Sequence, residues 1–284
     1  MKKLGIIIDS FSGLTVEEAN QLGFYFLPLQ VEIDGQKYQD GKDDHLSILL
    51  KLQSAKSFFS SLPVLDTIEK TVQEASEKYD DVIVLTLHEN LSSTNKYLKT
   101  FAAEKANVHV IDNHFSGIQF VNVALFARKN YEEKNMPIDK LIKSIAEINQ
   151  DSLTLLVPKN LDYMIKGGRL TGVKKLILST ISMVPLLNYD IEGKVSVLGL
   201  KRTLKGVIGK LFDKTNDFII QNNLTQVEFN WMHGIDEEVN NLVKKIASEK
   251  AIAFKHEQLT SSVVAVHTGP EAFSVTVMPK LETN

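Results

Sequence analysis

Leu4-Gly5-Ile6-Ile7-Ile8-Asp9-Ser10 is the first of three short apolar runs, followed by Val82-Ile83-Val84-Leu85-Thr86-Leu87 and Val108-His109-Val110-Ile111. Each is too short for a helix and shows no polar alternation, the pattern of a strand covered on both faces. Between and after them lie helical segments: Asp66–Tyr79, with apolar Ile68, Val72 and Ala75 on one side, then Ser92–Ala106 and Ile118–Glu133. Thr15-Val16-Glu17-Glu18 has the spacing of a capping box and opens a short helix. Phe26–Ile33 reads as one strand, and Asp34-Gly35 after it as a hairpin turn. Buried strands alternating with helices imply a parallel sheet with helices on both faces. The loops Asp9-Ser10, His88–Leu91 and Asp112–Gly117 then meet at one sheet edge, where such folds bind ligands.

The second half has another rhythm. Asn135-Met136-Pro137 opens a helix over Ile138–Asn149, and Ser152–Val157 is a strand. A short helix, Asn160–Lys166, stops at Gly167-Gly168. Val184–Tyr189 and Val195–Leu200 flank Glu192-Gly193 as a hairpin. Helix, strand, helix and strand follow at Leu204–Gln221, Gln226–Met232, Asp236–Ser248 and Ala253–Thr260, and Phe273–Met278 is the last strand. The expected fold class is α/β with two domains. Residues 1–150 carry the parallel sheet, and residues 151–284 a mixed sheet packed with helices on one side.

Composition narrows the function. The 284 residues are 43% apolar and 24% charged, ordinary for a globular protein. The absence of Cys removes disulfides and thiolate chemistry and fits a cytoplasmic location. With 32 basic and 35 acidic residues the formal charge is −3, and no basic stripe suggests nucleic acid. The apolar run after Met1-Lys2-Lys3 ends at Asp9, and the uncharged stretch Leu176–Tyr189 is too short to span a bilayer. Familiar motifs fail: His88-Glu89 lacks the second zinc-binding His because Ser92 stands there, and Val173 replaces the Lys of a phosphate loop after Gly167–Gly172. Asp40, Asp43 and Asp44 lack the spacing of a calcium loop, and no metal site is expected.

What remains is hydroxyl and basic groups at element ends. Ser60-Ser61 sits in a loop before a helix, and Leu91-Ser92-Ser93-Thr94 at a strand-to-helix junction where Ser92 caps the helix. Lys166-Gly167-Gly168-Arg169 is a helix stop, Lys201-Arg202 follows a hairpin strand, and His267-Thr268-Gly269-Pro270 reads as a turn. Singly, each has an ordinary explanation as cap, turn or solvated charge.

In order along the chain, however, these segments resemble the DegV family, bacterial fatty-acid-binding proteins of the fatty acid kinase system. Asp9-Ser10-Phe11-Ser12-Gly13-Leu14 is similar to the family's D-S-T-x-D-L, and Tyr38-Gln39-Asp40-Gly41-Lys42-Asp43 to its Y-x-D-G-x-D. Ser60-Ser61-Leu62-Pro63-Val64 stands for T-S-Q-P-S, the turn from His88 to Asn95 for S-S-x-L-S-G-T-Y, and the strand from Val108 to Asn113 for V-x-V-I-D-S. Lys166-Gly167-Gly168-Arg169 and His267-Thr268-Gly269-Pro270 reproduce K-G-G-R and H-T-G-P, and Arg202 matches a later Arg. Leu62, Val64, Ser93, Asn95, Glu271 and Ser274 depart from the pattern, Glu271 bringing a negative charge near the expected head-group site.

The resemblance implies a long-chain fatty acid between the two domains, held by Ser60, Ser61, Ser92, Ser93, Arg169, His267 and Thr268 at its carboxylate. The uncharged segments Leu176–Leu187 and Ser261–Pro270 are candidates for the apolar wall around its tail, although such runs are more often plain core. It implies that Arg202 lies by the mouth and serves a separate ATP-dependent fatty acid kinase or the phosphoryl group. The chain itself is then a carrier for phospholipid synthesis rather than an enzyme. The lipid is its ligand, it needs no cofactor, and transient contact with a membrane surface is allowed. Two other readings stay open. One is a serine esterase-like hydrolase using Ser92 or Ser93 with His267, although no nucleophile elbow is present. The other is a ligand-free regulatory or scaffold relative.

Overall fold

The computed structural model describes residues 2–159, 161–169 and 183–283. Along the first half the order is β1 (Leu4–Asp9), a 3₁₀ turn (Ser10–Ser12), α1 (Val16–Gln21), β2 (Tyr25–Leu27), β3 (Gln30–Ile33), β4 (Gln36–Gln39), α2 (His45–Ser54) and β5 (Phe58–Ser61). Next come α3 (Leu65–Lys78), β6 (Asp81–Leu85), α4 (Thr94–Ala102), β7 (Val108–Val110) and α5 (Ile118–Glu132). The second half runs α6 (Ile138–Gln150), β8 (Leu153–Val157), α7 (Asp162–Gly167), β9 (Val184–Tyr189), β10 (Val195–Lys201) and α8 (Leu204–Gln221). It ends with β11 (Val227–His233), α9 (Glu237–Glu249), β12 (Phe254–Leu259), α10 (Ser262–Thr268) and β13 (Phe273–Pro279).

The apolar runs form a parallel sheet of order β2-β1-β6-β7. One face buries Ile7, Val82 and Val84 under Ile68, Val72 and Ala75 of α3 and Leu98 of α4. Ile6, Ile8, Ile83 and Leu85 turn the other way and join Phe120, Val123 and Ala124 of α5. The second half builds a mixed sheet of order β10-β9-β8-β13-β11-β12. Leu155, Trp231, Phe273 and Val275 point to one face and bury Leu211, Phe212, Val243 and Ile246 of α8 and α9. The alternate residues face α5 and the first half, so α5 lies between two sheets. Its apolar residues run around the whole helix, as a helix buried on all sides requires. Among the described residues no helix is long and apolar enough to cross a membrane.

Three segments differ from the sequence reading. Phe26–Ile33 is two strands: Pro28 follows β2, and β3 leaves the parallel sheet to pair with β4 and β5 in a small antiparallel sheet. Ser60 and Ser61 are not loop residues; they end β5, opposite Val31 and Gln30. His267 and Thr268 form the last turn of α10, and the chain turns only at Gly269, with φ 93°. Tertiary pairing overrides local turn chemistry in each case.

Two buried carboxylates fix the joints. Asp40 Oδ1 accepts the Ser262 amide at 2.9 Å and also the Ser262 hydroxyl, pinning the start of α10 to the end of the β3–β4 hairpin. The imidazole of His45 lies 3.3 Å from the same oxygen. Asp9 accepts the amides of Phe11 at 3.1 Å and Leu87 at 2.9 Å, tying the ends of β1 and β6 together beneath the sheet edge. Desolvation outweighs these amide bonds and pushes the Asp9 carboxyl from its ordinary 3.8 up to about 7. The folded chain therefore keeps this proton while the unfolded chain has released it. The contribution of Asp9 to stability falls as pH rises from about 4 to about 7. Carbon-13 NMR of the side-chain carboxyls should show Asp9 titrating with a midpoint near neutrality; a midpoint in the ordinary aspartate range would contradict this account.

Candidate functional site

The edge where β1 and β6 end faces the mixed sheet, and between them is a cavity of ≈ 280 Å³. Its walls are apolar: Phe11 and Leu29 after β1 and β2, Leu87 and Leu91 after β6, and Leu156 and Met232 from the mixed sheet. Met164 of α7 and Val263 and Val264 of α10 complete them. Ser60, Ser61, Ser92, Ser93, Arg169, His267 and Thr268 all line it. Residues separated by some two hundred positions thus meet in one chamber.

β5 and α10 bring Ser60 and His267 together, Ser60 Oγ and His267 Nε2 being 2.6 Å apart. Burial, helped by the neighbouring Arg169 guanidinium, drives the His267 pKa down to about 4, so the ring is neutral near pH 7. Its other nitrogen, Nδ1, is buried without a partner among the described residues. The ring packs on Gly167: a Cβ there would sit 2.3 Å from Nδ1. Gly168, with φ 67°, is the residue that ends α7. The two glycines thus do different jobs, one making room for the imidazole and the other turning the chain. Beyond them Arg169 curls back, Nη1 donating to Gly167 O at 2.7 Å and Nε to Leu91 O at 3.4 Å. This holds a fixed positive charge between α7 and the loop that carries Ser92.

Ser92 does not cap α4 in the expected way. The helix begins at Thr94, Ser93 occupies the cap position without a side-chain bond, and Ser92 Oγ lies 2.9 Å from Thr94 Oγ1 and 3.3 Å from the Thr94 amide. Ser61 and Ser93 are exposed at the rim. Thr268 donates its hydroxyl to Val264 O at 3.0 Å, which takes its proton away from the chamber. Arg202 is exposed past the end of β10 and is not among the residues that line the cavity. By strand geometry it lies about 20 Å along the chain from Val195, which does. Glu271 is turned away too, 3.7 Å from Lys159, and adds no charge to the head-group end.

For the tail wall, positions 176–182 lie outside the described residues. Met183–Leu187 do not line the chamber; Tyr189 and Val195 of the same hairpin do. The segment Ser261–Pro270 contributes Val263, Val264, His267 and Thr268. Phe11, Ser116, Thr154, Met164 and Met232 also line the chamber with no site role in the sequence reading, as does Ser274, which is noted there only as a departure from the family pattern. The signal for the last two and Thr154 is their alternation with core residues along β8, β11 and β13, which becomes informative only when the far face of that sheet is known. His267 pairs with Ser60 rather than Ser92 or Ser93, and no acid orients Nδ1, so the nucleophile–base–acid arrangement of an esterase is not assembled among the described residues. No group of three metal-ligating side chains converges among them either.

Replacing a helical Gly by Ala ordinarily stabilises by roughly 0.5–1 kcal/mol. Gly167→Ala should instead destabilise by about 1–3 kcal/mol, because the new methyl overlaps the His267 ring. Urea unfolding decides the sign, and a stabilised variant would show that the ring does not rest there.

A family model described as "Uncharacterised protein, DegV family" matches residues 3–280. A DegV domain-containing protein of Mycoplasma genitalium is 31% identical over 301 residues, covering 98% of this chain and 99% of its own. The fold matches the fatty-acid-binding DegV family protein of Thermus thermophilus with a TM-score of 0.86 at 19% identity, covering 98% of this chain and 100% of that one. It matches the fatty acid binding DegV family protein of Streptococcus agalactiae with a TM-score of 0.84 at 22% identity, covering 99% and 100%. Sequence and fold therefore agree over almost the full length, and the chain belongs to the DegV family.

Proposed function

We propose that this protein binds a long-chain fatty acid in the chamber between its two halves. The observation that carries the reading is the chamber's polarity: apolar walls, with the Ser60 hydroxyl, the neutral His267 imidazole and the Arg169 guanidinium grouped together among them. An acid group withdrawn from water must have its oxygens satisfied by donors. Ser60, Ser92 and Arg169 supply them, with Ser61 and Ser93 at the rim. His267 Nε2–H donating to Ser60 Oγ would leave the Ser60 proton free for a carboxylate oxygen. Each methylene buried against the walls adds about 0.8 kcal/mol, so the tail supplies most of the affinity. The structural relatives from Thermus thermophilus and Streptococcus agalactiae are described as fatty-acid binding, which supports the same reading.

The reading extends to function in the cell. The bound acid is presented to a separate ATP-dependent fatty acid kinase in the cytoplasm, and the acyl phosphate is carried to phospholipid synthesis, with transient contact at the membrane surface. The chain takes no catalytic part. Arg202, exposed and away from the chamber, suits contact with that kinase better than contact with the lipid. We also assign residues 1–150 and 151–284 to two domains, with α10 returning to the first. Titration of delipidated protein with a long-chain fatty acid should show affinity falling about tenfold or more when Ser60 and Ser92 are both changed to Ala. Unchanged affinity would remove these serines from the head-group site, and no binding by the unaltered protein would remove the reading itself.

A further inference from the structure

The end of the chamber formed by the mixed sheet is not uniformly apolar. Thr154 and Ser274 line it beside Leu156 and Met232. In register, Ser274 stands between Leu156 and Met232, and one step along the sheet Thr276 stands between Thr154 and Asn230. All these residues project from the same face, because Val275 and Trp231 between them turn to the helices on the other. Ser274 Oγ, Thr276 Oγ1 and both amide atoms of Asn230 are buried without a hydrogen-bond partner among the described residues.

The facing helix cannot supply partners. Gln119 of α5 already donates to Val277 O at 3.1 Å and accepts the Ser116 amide at 3.0 Å and the Thr154 hydroxyl at 3.4 Å. Asn122, one turn on, is directed to Glu228 and Met278. A cluster of buried donors and acceptors left open beside a ligand chamber needs a hydrogen-bonding guest.

We propose that this inner end is a second polar subsite, centred on Ser274, which takes a hydroxyl carried on the acyl chain, so that the preferred ligand is a hydroxylated long-chain fatty acid. This rests on the fatty-acid reading above and adds to it a preference among acids. Plain acyl chains leave Ser274 unpaired, whereas a hydroxyl at the right carbon both donates and accepts there. A site built for such a group discriminates against the analogue that lacks it.

Calorimetric titration of the delipidated full chain would compare stearic acid with a series of hydroxystearic acids whose hydroxyl moves along the chain. At least one isomer should bind roughly tenfold or more tightly than stearic acid. Ser274→Ala should abolish that preference while leaving stearic acid affinity equal or higher, and Thr276→Val serves as a second variant. Stearic acid binding with no isomer favoured overturns the subsite alone. Failure of every acid to bind overturns the fatty-acid reading with it. A preference that survives both variants also overturns the subsite, as does a crystal structure of the best hydroxystearic complex in which ordered water, not the ligand hydroxyl, occupies the bonds to Ser274.

Discussion

Ser60 and His267 meet at 2.6 Å across 207 positions of chain, held there by contacts from separate parts of the molecule. The helix that carries His267 is short and is held at its start by the buried carboxylate of Asp40. The strand that carries Ser60 is held by its pairing with β3. The ring itself needs the bare backbone of Gly167 against it. Each support comes from a different part of the sequence, so the contact exists only in the complete fold. It sets neutral hydrogen-bonding groups against the apolar walls of the chamber, and Arg169 adds the positive charge.

The two sheets have unlike roles. The parallel sheet, buried on both faces, ends in loops that bring amides and hydroxyls to one edge, while Asp9 ties two of its strand ends beneath them. The mixed sheet spends one face on α8 and α9 and leaves the other for α5 and the chamber. α5 separates the sheets along part of their length, and the chamber occupies the space beside it.

Much of this was legible from residue order. The short apolar runs gave the parallel sheet, the Glu192-Gly193 turn gave the β9–β10 hairpin, and the similarity of the motif segments gave seven residues that do line one chamber. What was misread had a common cause. Pro28, Ser60-Ser61 and His267-Thr268 lie in short segments where local preferences are weak and strand pairing or helix docking supplies the deciding energy. The exposed position of Arg202, off the cavity wall, was not legible because a basic residue after a hairpin says nothing about which way the hairpin points. The place of Thr154, Met232 and Ser274 on the chamber wall was not legible because alternation along a strand marks two faces without saying what covers each.

Periodicity, turn residues and motif order were enough to establish an α/β chain, its two kinds of sheet and its kinship, since these reflect interactions between neighbours a few residues apart. The Ser60–His267 contact, the room left by Gly167, the neutral state of the imidazole and the unpaired hydroxyls facing α5 belong to the folded chain alone. They arise from distant segments sharing a low-dielectric interior, where burial sets protonation and every polar atom must find a partner in three dimensions.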